Sequence, residues 1–164
     1  MTRPTTTRLP SLGPRGEGWV VIQTVLLAAI AAAGWWLGPD WSGPVRSGAI
    51  AGGIMAIAGG AILIVRGVVD LGGALTPLPH PRDDAELVET GVYGLARHPI
   101  YGGLILGSVG WSLVQASQAG LAGSALLLAF FALKSSREEA WLMELFPGYA
   151  AYRTRTRHFI PWVG

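Results

Sequence analysis

Two short stretches of the sequence hold most of the side chains that could bind a charged ligand or move a proton. The first, GVYGLARHPIYGG, runs from residue 91 to residue 103, and the second, KSSREEAWLMELFPGYAAYR, from residue 134 to residue 153. Carboxylates hold ammonium groups, cations hold carboxylates, and aromatic faces cover cationic or flat groups. The side chains of interest are Tyr93, Arg97, His98, Tyr101, Lys134, Arg137, Glu138, Glu139, Tyr149, Tyr152 and Arg153.

Several kinds of chemistry are excluded or disfavoured by the residue types. The sequence has no cysteine, so thiol nucleophiles, iron–sulfur clusters and cysteine zinc sites are excluded. The three histidines, His80, His98 and His158, lack metal-ligand spacing, and no metal is expected. No complete phosphate-binding glycine motif or Gly-x-Ser-x-Gly elbow is present. Taken singly, His98 could cap a helix, the glutamate pair could be a solvated face, and the tyrosines could be interfacial anchors.

The composition predicts that these residues are positioned by membrane helices. Hydrophobic residues make up 51% of the 164, and charged residues only 13%, against about 25% in ordinary soluble domains. The run 19–37 has one polar pair, Gln23 and Thr24, and its length of roughly 28 Å matches the bilayer core. Further apolar runs cover 45–69, 99–115 and 121–133. We expect an all-α bundle of about four transmembrane helices, the last two forming a hairpin whose second helix continues through KSSREEAWLMELF.

The rest of the chain is expected to serve this bundle within a single domain, 1–164. Residues 1–17 form a flexible basic leader, and residues 71–164 form the motif-bearing part. On the second helix, Gly48, Gly52, Ala56 and Gly60 are four residues apart, a stripe that lets another helix approach closely. At its end Arg66 could pair with Asp70 or extend alone to the headgroups.

The positive residues predict the orientation. With four spans, both termini and the polar loop 71–98 lie on one side, together with eleven of the twelve lysines and arginines; Arg46 is opposite. The positive-inside rule therefore places both termini in the cytosol, with the protein in the cell inner membrane. The open ends of the hairpin then bring the two motif segments together at the cytosolic face. The basic, aromatic C-terminal segment is expected to contact membrane lipids rather than nucleic acid.

In the order of its motifs the chain resembles the isoprenylcysteine carboxyl methyltransferase family of integral membrane enzymes. The motifs are G-V-Y-x-x-x-R-H-P-x-Y-x-G, a hairpin, E-E-x-x-L-x-x-x-F-x-x-Y-x-x-Y and a closing I-P, between about Leu71 and Pro161. The resemblance implies methyl transfer from S-adenosylmethionine to a lipophilic acceptor, most simply a carboxylate, that reaches the site from the bilayer. A carboxylate acceptor needs no general base, which fits the absence of an obvious catalytic dyad.

The same resemblance implies roles for individual residues. Leu87, Val88 and Tyr93 would line the cofactor pocket. His98, Pro99, Ile100 and Tyr101 would contact its adenosine and methionine parts. Independently of the resemblance, the residue types make Arg97 and His98 the candidate cations for the cofactor's carboxylate. Glu138 or Glu139 would hold its α-ammonium group. Lys134 or Arg137 would face the substrate.

Three other functions are compatible with parts of this pattern. A sterol-reductase-like enzyme that binds NADPH shares the Arg-His-Pro-x-Tyr motif, but such enzymes are longer. A phospholipid N-methyltransferase shares the cofactor but not the acceptor. A non-catalytic membrane subunit would need neither.

Overall fold

The computed structural model describes residues 10–38, 41–76, 78, 80 and 86–161, and these ranges form an all-helical fold. The helices are α1 Glu17–Trp36, α2 Gly43–Leu71, α3 Pro99–Val114, α4 Gln118–Leu145 and α5 Tyr149–Arg155, with 3₁₀ turns at Gly72–Ala74 and Gly91–Gly94. The all-α prediction is confirmed. Residues 1–9 of the predicted leader and residues 81–85 of the polar loop lie outside the described ranges.

The helices begin where the local sequence favours a start. Prolines occupy the first turns of α2 and α3, where a missing N–H costs nothing. The hydroxyl of Ser117 caps α4 by accepting a hydrogen bond from the Gly120 N–H at 3.1 Å. Helix α4 then continues without a break to Leu145, which confirms that the hairpin's second helix extends through the charged segment.

Helices α1, α2 and α4 are long and apolar enough to cross a membrane, and α3, with 16 residues, is shorter. Many large apolar side chains on these helices are exposed, among them Val21, Val25, Met55, Ile62 and Leu126. Such surfaces are stable in contact with lipid rather than water. The chain is therefore an integral membrane protein, and the fourth predicted span rests on α3 alone.

Helix α3 lies at the centre of the bundle and runs antiparallel to α2. A Cβ atom at Gly53 would lie 2.7 Å from the Gly110 carbonyl oxygen, and one at Gly60 would lie 2.6 Å from the Gly103 oxygen. Of the predicted stripe, Gly60 lies at this close contact, whereas a Cβ atom at Gly48 or Gly52 would meet nothing within 4 Å. A seven-residue repeat of glycines, ending at Gly67, lets the backbones approach instead.

On its other side α3 packs against α4 and α1. Helix α1 is antiparallel to α4, with Ile30 seated over Gly123, and the Trp111 indole donates to the Ala31 carbonyl oxygen at 3.3 Å. Phe130 and Phe131 form the centre of the buried core here. The start of α1, the end of α2, the start of α3 and the second half of α4 consequently meet at one end of the bundle.

The segment after α5 is fastened to the start of α3 at this end. The Arg97 N–H donates to the Arg157 carbonyl and the His98 N–H to the His158 carbonyl, both at 2.9 Å. The Phe159 carbonyl lies against Gly102, where no side chain would fit. This C-terminal segment closes the bundle over the first motif.

Candidate functional site

A cavity of about 390 Å³ opens at the end of the bundle where these elements meet. It is within the size range of small-molecule and cofactor sites. Nine of the twelve predicted site residues line it: Leu87, Val88, Tyr93, Arg97, His98, Ile100, Tyr101, Lys134 and Glu138. The other three, Pro99, Arg137 and Glu139, do not. The structure thus brings the two motif segments together around one space.

Tyr93 is held in the wall of the cavity through the end of α2. The Asp70 carboxylate pairs with Arg66 at 3.2 Å, one of the two arrangements that the sequence left open, and accepts a hydrogen bond from the Val92 N–H at 2.7 Å. Gly91 has a φ of 61° and lies so close to this carboxylate that a side chain would collide with it. The 3₁₀ turn that carries Tyr93 is therefore fixed to α2.

Glu138 presents its carboxylate to the cavity. The Tyr101 hydroxyl donates to Glu138 Oε2 at 2.8 Å, and His98 Nδ1 lies 3.9 Å from the same oxygen. The imidazole of His98 stacks parallel to the Tyr101 ring at 5.4 Å between centroids. Because only this oxygen of Glu138 is engaged within the described chain, the carboxylate can still accept hydrogen bonds from a ligand.

Glu139 is instead occupied by the chain's own cations. Its Oε1 accepts from Arg97 Nε at 2.8 Å and lies 3.2 Å from His98 Nε2, and its Oε2 lies 3.1 Å from Arg153 Nε. Only 3% of the residue is exposed. Arg97 also donates to the carbonyl oxygens of Arg153 and Thr156. Glu139 and Arg97 therefore hold the C-terminal segment in place rather than facing the cavity as a free pair.

The same cluster brings two histidines and a carboxylate together, which their sequence spacing did not predict. The ligand atoms of His98, Glu139 and His158 lie within 4.8 Å of one another. Burial and the neighbouring His98 lower the pKa of His158 to about 4, so this imidazole is neutral at pH 7. Two guanidinium groups, those of Arg97 and Arg153, already neutralise the carboxylate. Their positive charge opposes a divalent cation at this place.

Lys134 and Arg137 lie on different faces of α4. The Lys134 ammonium is buried in the cavity wall, where it donates to Gln23 Oε1 at 2.5 Å and lies 4.8 Å from the Tyr101 ring centre. The Arg137 guanidinium stacks on the Trp141 ring at 4.2 Å, outside the cavity lining. Of the two candidates for contact with substrate, only Lys134 faces the space.

Among the cavity residues outside the predicted set, three carry polar groups that bear on the site. Tyr149 and Tyr152 come from α5, and Gln23 comes from α1. The Tyr152 hydroxyl donates to the Tyr93 carbonyl at 2.7 Å, whereas the buried Tyr149 hydroxyl has no partner among the described residues. Burial raises the pKa of Tyr152 to about 12 and the pKa of Tyr149 still further, so both phenols remain protonated donors. In the sequence, these residues could have been noticed from the spacing of the two tyrosines and from the position of Gln23 in an otherwise apolar run.

Fold and cavity together define an integral membrane protein with a charged, aromatic ligand site at one end of its helices. A family described as phospholipid methyltransferase matches residues 49–148, from α2 to the residue before α5. The chain therefore belongs to this family of membrane methyltransferases, which includes the isoprenylcysteine carboxyl methyltransferase-like enzymes. No curated protein gives a significant match. Helix α1 and the C-terminal segment lie outside the matched residues.

Proposed function

We propose that the protein transfers a methyl group from S-adenosylmethionine to a lipophilic carboxylate at the cytosolic face of the membrane. The observation that carries this proposal is the arrangement along α4. Lys134 and Glu138 are one helical turn apart, and both line the same cavity. Four residues along an α-helix rise about 6 Å, so a cation and an anion lie side by side in one cavity.

The residues around Glu138 fit the cofactor. Its carboxylate is suited to the α-ammonium group, and the rings of Tyr93 and Tyr101 offer faces for the adenine and the sulfonium. The Tyr149 hydroxyl, buried without a partner among the described residues, would gain a hydrogen bond from any polar group bound there. Leu87 and Val88 close this part of the cavity. Glu139, His98 and Arg97 position the wall rather than supply the ammonium ligand.

When bound, S-adenosylmethionine would supply a methyl group on a positively charged sulfur. The acceptor oxygen would bond to the methyl carbon as the carbon–sulfur bond breaks, leaving S-adenosylhomocysteine. The chain's contribution is alignment and exclusion of water, since a carboxylate oxygen has no proton to lose. Lys134 is suited to hold the acceptor's negative charge beside the cofactor. The apolar side chains of Val20 and Leu104 line the same part of the cavity and suit a hydrocarbon chain.

The family's description favours a second candidate, methylation of a phospholipid amine. In that reaction the acceptor nitrogen must lose a proton, and His98 or Glu138 would have to take it. The ammonium of Lys134 repels a protonated amine, which is why the carboxylate is preferred. The orientation in the inner membrane, with both termini cytosolic, follows from the positive-inside rule and belongs to the same proposal.

Binding and product analysis test the proposal. S-adenosylhomocysteine should bind the purified protein at micromolar concentration or better, and NADPH should not. Incubation with S-adenosylmethionine labelled in the methyl group and a total lipid extract should label a lipid. A methyl ester releases its label as methanol in mild base, whereas an N-methyl group does not. Base-stable label would favour the amine, and binding of NADPH alone would refute methyl transfer.

A further inference from the structure

The ammonium of Lys134 forms no direct ion pair within the described chain. The residue is 2% exposed, and among the described residues no carboxylate oxygen lies within 4.0 Å of its ammonium. Its contacts are Gln23 Oε1 and the faces of Tyr101 and Phe131. The Glu138 carboxylate attracts this ammonium from the next turn of α4 without contacting it. Burial of an ammonium group without a contacting anion is unfavourable, so an anion that reaches it gains a direct pair.

Gln23 is the only hydrogen-bond acceptor that the described chain gives this ammonium. Because an ammonium group can only donate, the amide oxygen must face Lys134 and the amide NH₂ must point elsewhere. That NH₂ makes no hydrogen bond within the described residues. Gln23 lines the cavity, so the two free N–H bonds are at the edge of the space beside the ammonium. Helix α1 lies outside the residues that match the family.

We propose that Gln23 is a specificity-determining residue of the acceptor site. The ammonium of Lys134 and the amide of Gln23 together form a two-donor site for the two oxygens of a carboxylate on a lipophilic chain. The site selects against amines of the same chain length, because both of its donors oppose a cation. This inference rests on the proposed function and assigns α1 a direct part in it.

Lys134 is the only lysine in the sequence, so chemical modification of its side chain can be measured without interference from other lysines. Reductive methylation of the protein in lipid nanodiscs, followed by peptide mass spectrometry, reports the accessibility of this one ε-amine separately from the N-terminal amine. The probes are hexadecanoic acid, hexadecylamine and hexadecanol at equal mole fraction in the lipid. Hexadecanoic acid should slow modification of Lys134 at least fivefold, and the amine and the alcohol should not.

Substitutions on α1 then separate Gln23 from its surroundings. Gln23→Leu should weaken binding of hexadecanoic acid, so that roughly tenfold more of it is needed for the same protection, since a hydrogen bond to a charged group is lost. Gln23→Glu should abolish it, because the new carboxylate pairs with Lys134. Thr24→Val is the matched control: Thr24 is exposed and bonds only to the Val20 carbonyl of its own helix, at 2.9 Å. It should behave as the wild type.

Binding of S-adenosylhomocysteine, measured on every variant, shows that the cofactor site is folded and keeps the two proposals apart. If all variants bind it and Gln23→Leu is protected as well as the wild type, Gln23 has no part in specificity, while methyl transfer stands. Equal protection by the acid and the amine in the wild type also overturns the two-donor site. Failure of the wild type to bind S-adenosylhomocysteine refutes the proposed function itself. If Gln23→Glu does not fold, Gln23→Asn, whose shorter amide cannot span both groups, should show the loss instead.

Discussion

Glu138→Gln and Glu139→Gln should have opposite effects: the change at residue 139 should lower the stability of the fold, and the change at residue 138 should lower the affinity for the cofactor. Glu139→Gln removes the charge from a carboxylate that pairs with buried Arg97 and with half-exposed Arg153. Breaking a buried pair costs roughly 3–5 kcal/mol, and the lower value applies because Arg153 keeps access to water. At about 2–4 °C per kcal/mol for a chain of this size, the unfolding midpoint should fall by about 6–12 °C.

Glu138→Gln should leave the midpoint nearly unchanged and impair binding instead. Its one hydrogen bond within the described part of the chain, from the Tyr101 hydroxyl, can be kept by the amide oxygen. The loss of a charged acceptor for an ammonium group costs roughly 1.5–3 kcal/mol, or about 10- to 150-fold in affinity.

Thermal unfolding in detergent and calorimetric titration with S-adenosylhomocysteine measure both effects. Glu17→Gln is the control, since Glu17 is exposed and does not line the cavity, and the amide oxygen can keep its hydrogen bond from the Arg15 N–H. The reasoning fails if Glu139→Gln loses ligand binding at an unchanged midpoint while Glu138→Gln binds normally, because that result would exchange the two roles.

Three further predictions follow from particular contacts. Tyr149→Phe breaks no hydrogen bond within the described chain, so its midpoint should be unchanged while its affinity for S-adenosylhomocysteine falls roughly 2- to 13-fold; equal affinity would place the hydroxyl outside the site. Gly103→Val should destabilise the protein by at least about 1–3 kcal/mol through collision with the Gly60 carbonyl, whereas Gly52→Val, at a position with nothing within 4 Å, should unfold near the wild-type temperature. Burial and His98 lower the pKa of His158 from 6.5 to about 4. As the pH decreases, the unfolded chain therefore binds this proton before the folded chain does, and the stability of the fold decreases between about pH 7 and pH 4. His158→Gln should flatten the dependence of the unfolding midpoint on pH over that range.

The apolar runs alone predicted the helical membrane fold, because nineteen or more uncharged residues have few other stable arrangements. The same patterns did not give the register between helices. Glycines four apart and glycines seven apart both lie along one side of a helix, and α3 packs on the seven-residue set that includes Gly53 and Gly67. Only the partner surface decides between two such sets.

The sequence predicted which segments form the candidate site, but not which side chains of α4 face the cavity. Consecutive residues on a helix point about 100° apart, so Glu138 and Glu139 cannot share one environment, and the sequence does not state which faces the cavity. The four-residue spacings do group Lys134 with Glu138 and Arg137 with Trp141, as the structure has them. The polarity of Gln23 in an apolar run marked it as unusual, but its contact with Lys134 could not be predicted, because that contact depends on the packing of α1 against α4.

The contacts that α5 and the segment after it make with the rest of the chain imply an order for the steps of folding. Helices α1 to α4 can insert and pair as they leave the ribosome, since their contacts are with one another. Residues 97 and 98 obtain their backbone acceptors from residues 157 and 158, and the Glu139 carboxylate obtains one of its two guanidinium partners from Arg153. We therefore expect the wall of the cavity to be completed last, after the membrane helices are in place, and a nascent chain paused before residue 153 to lack these contacts.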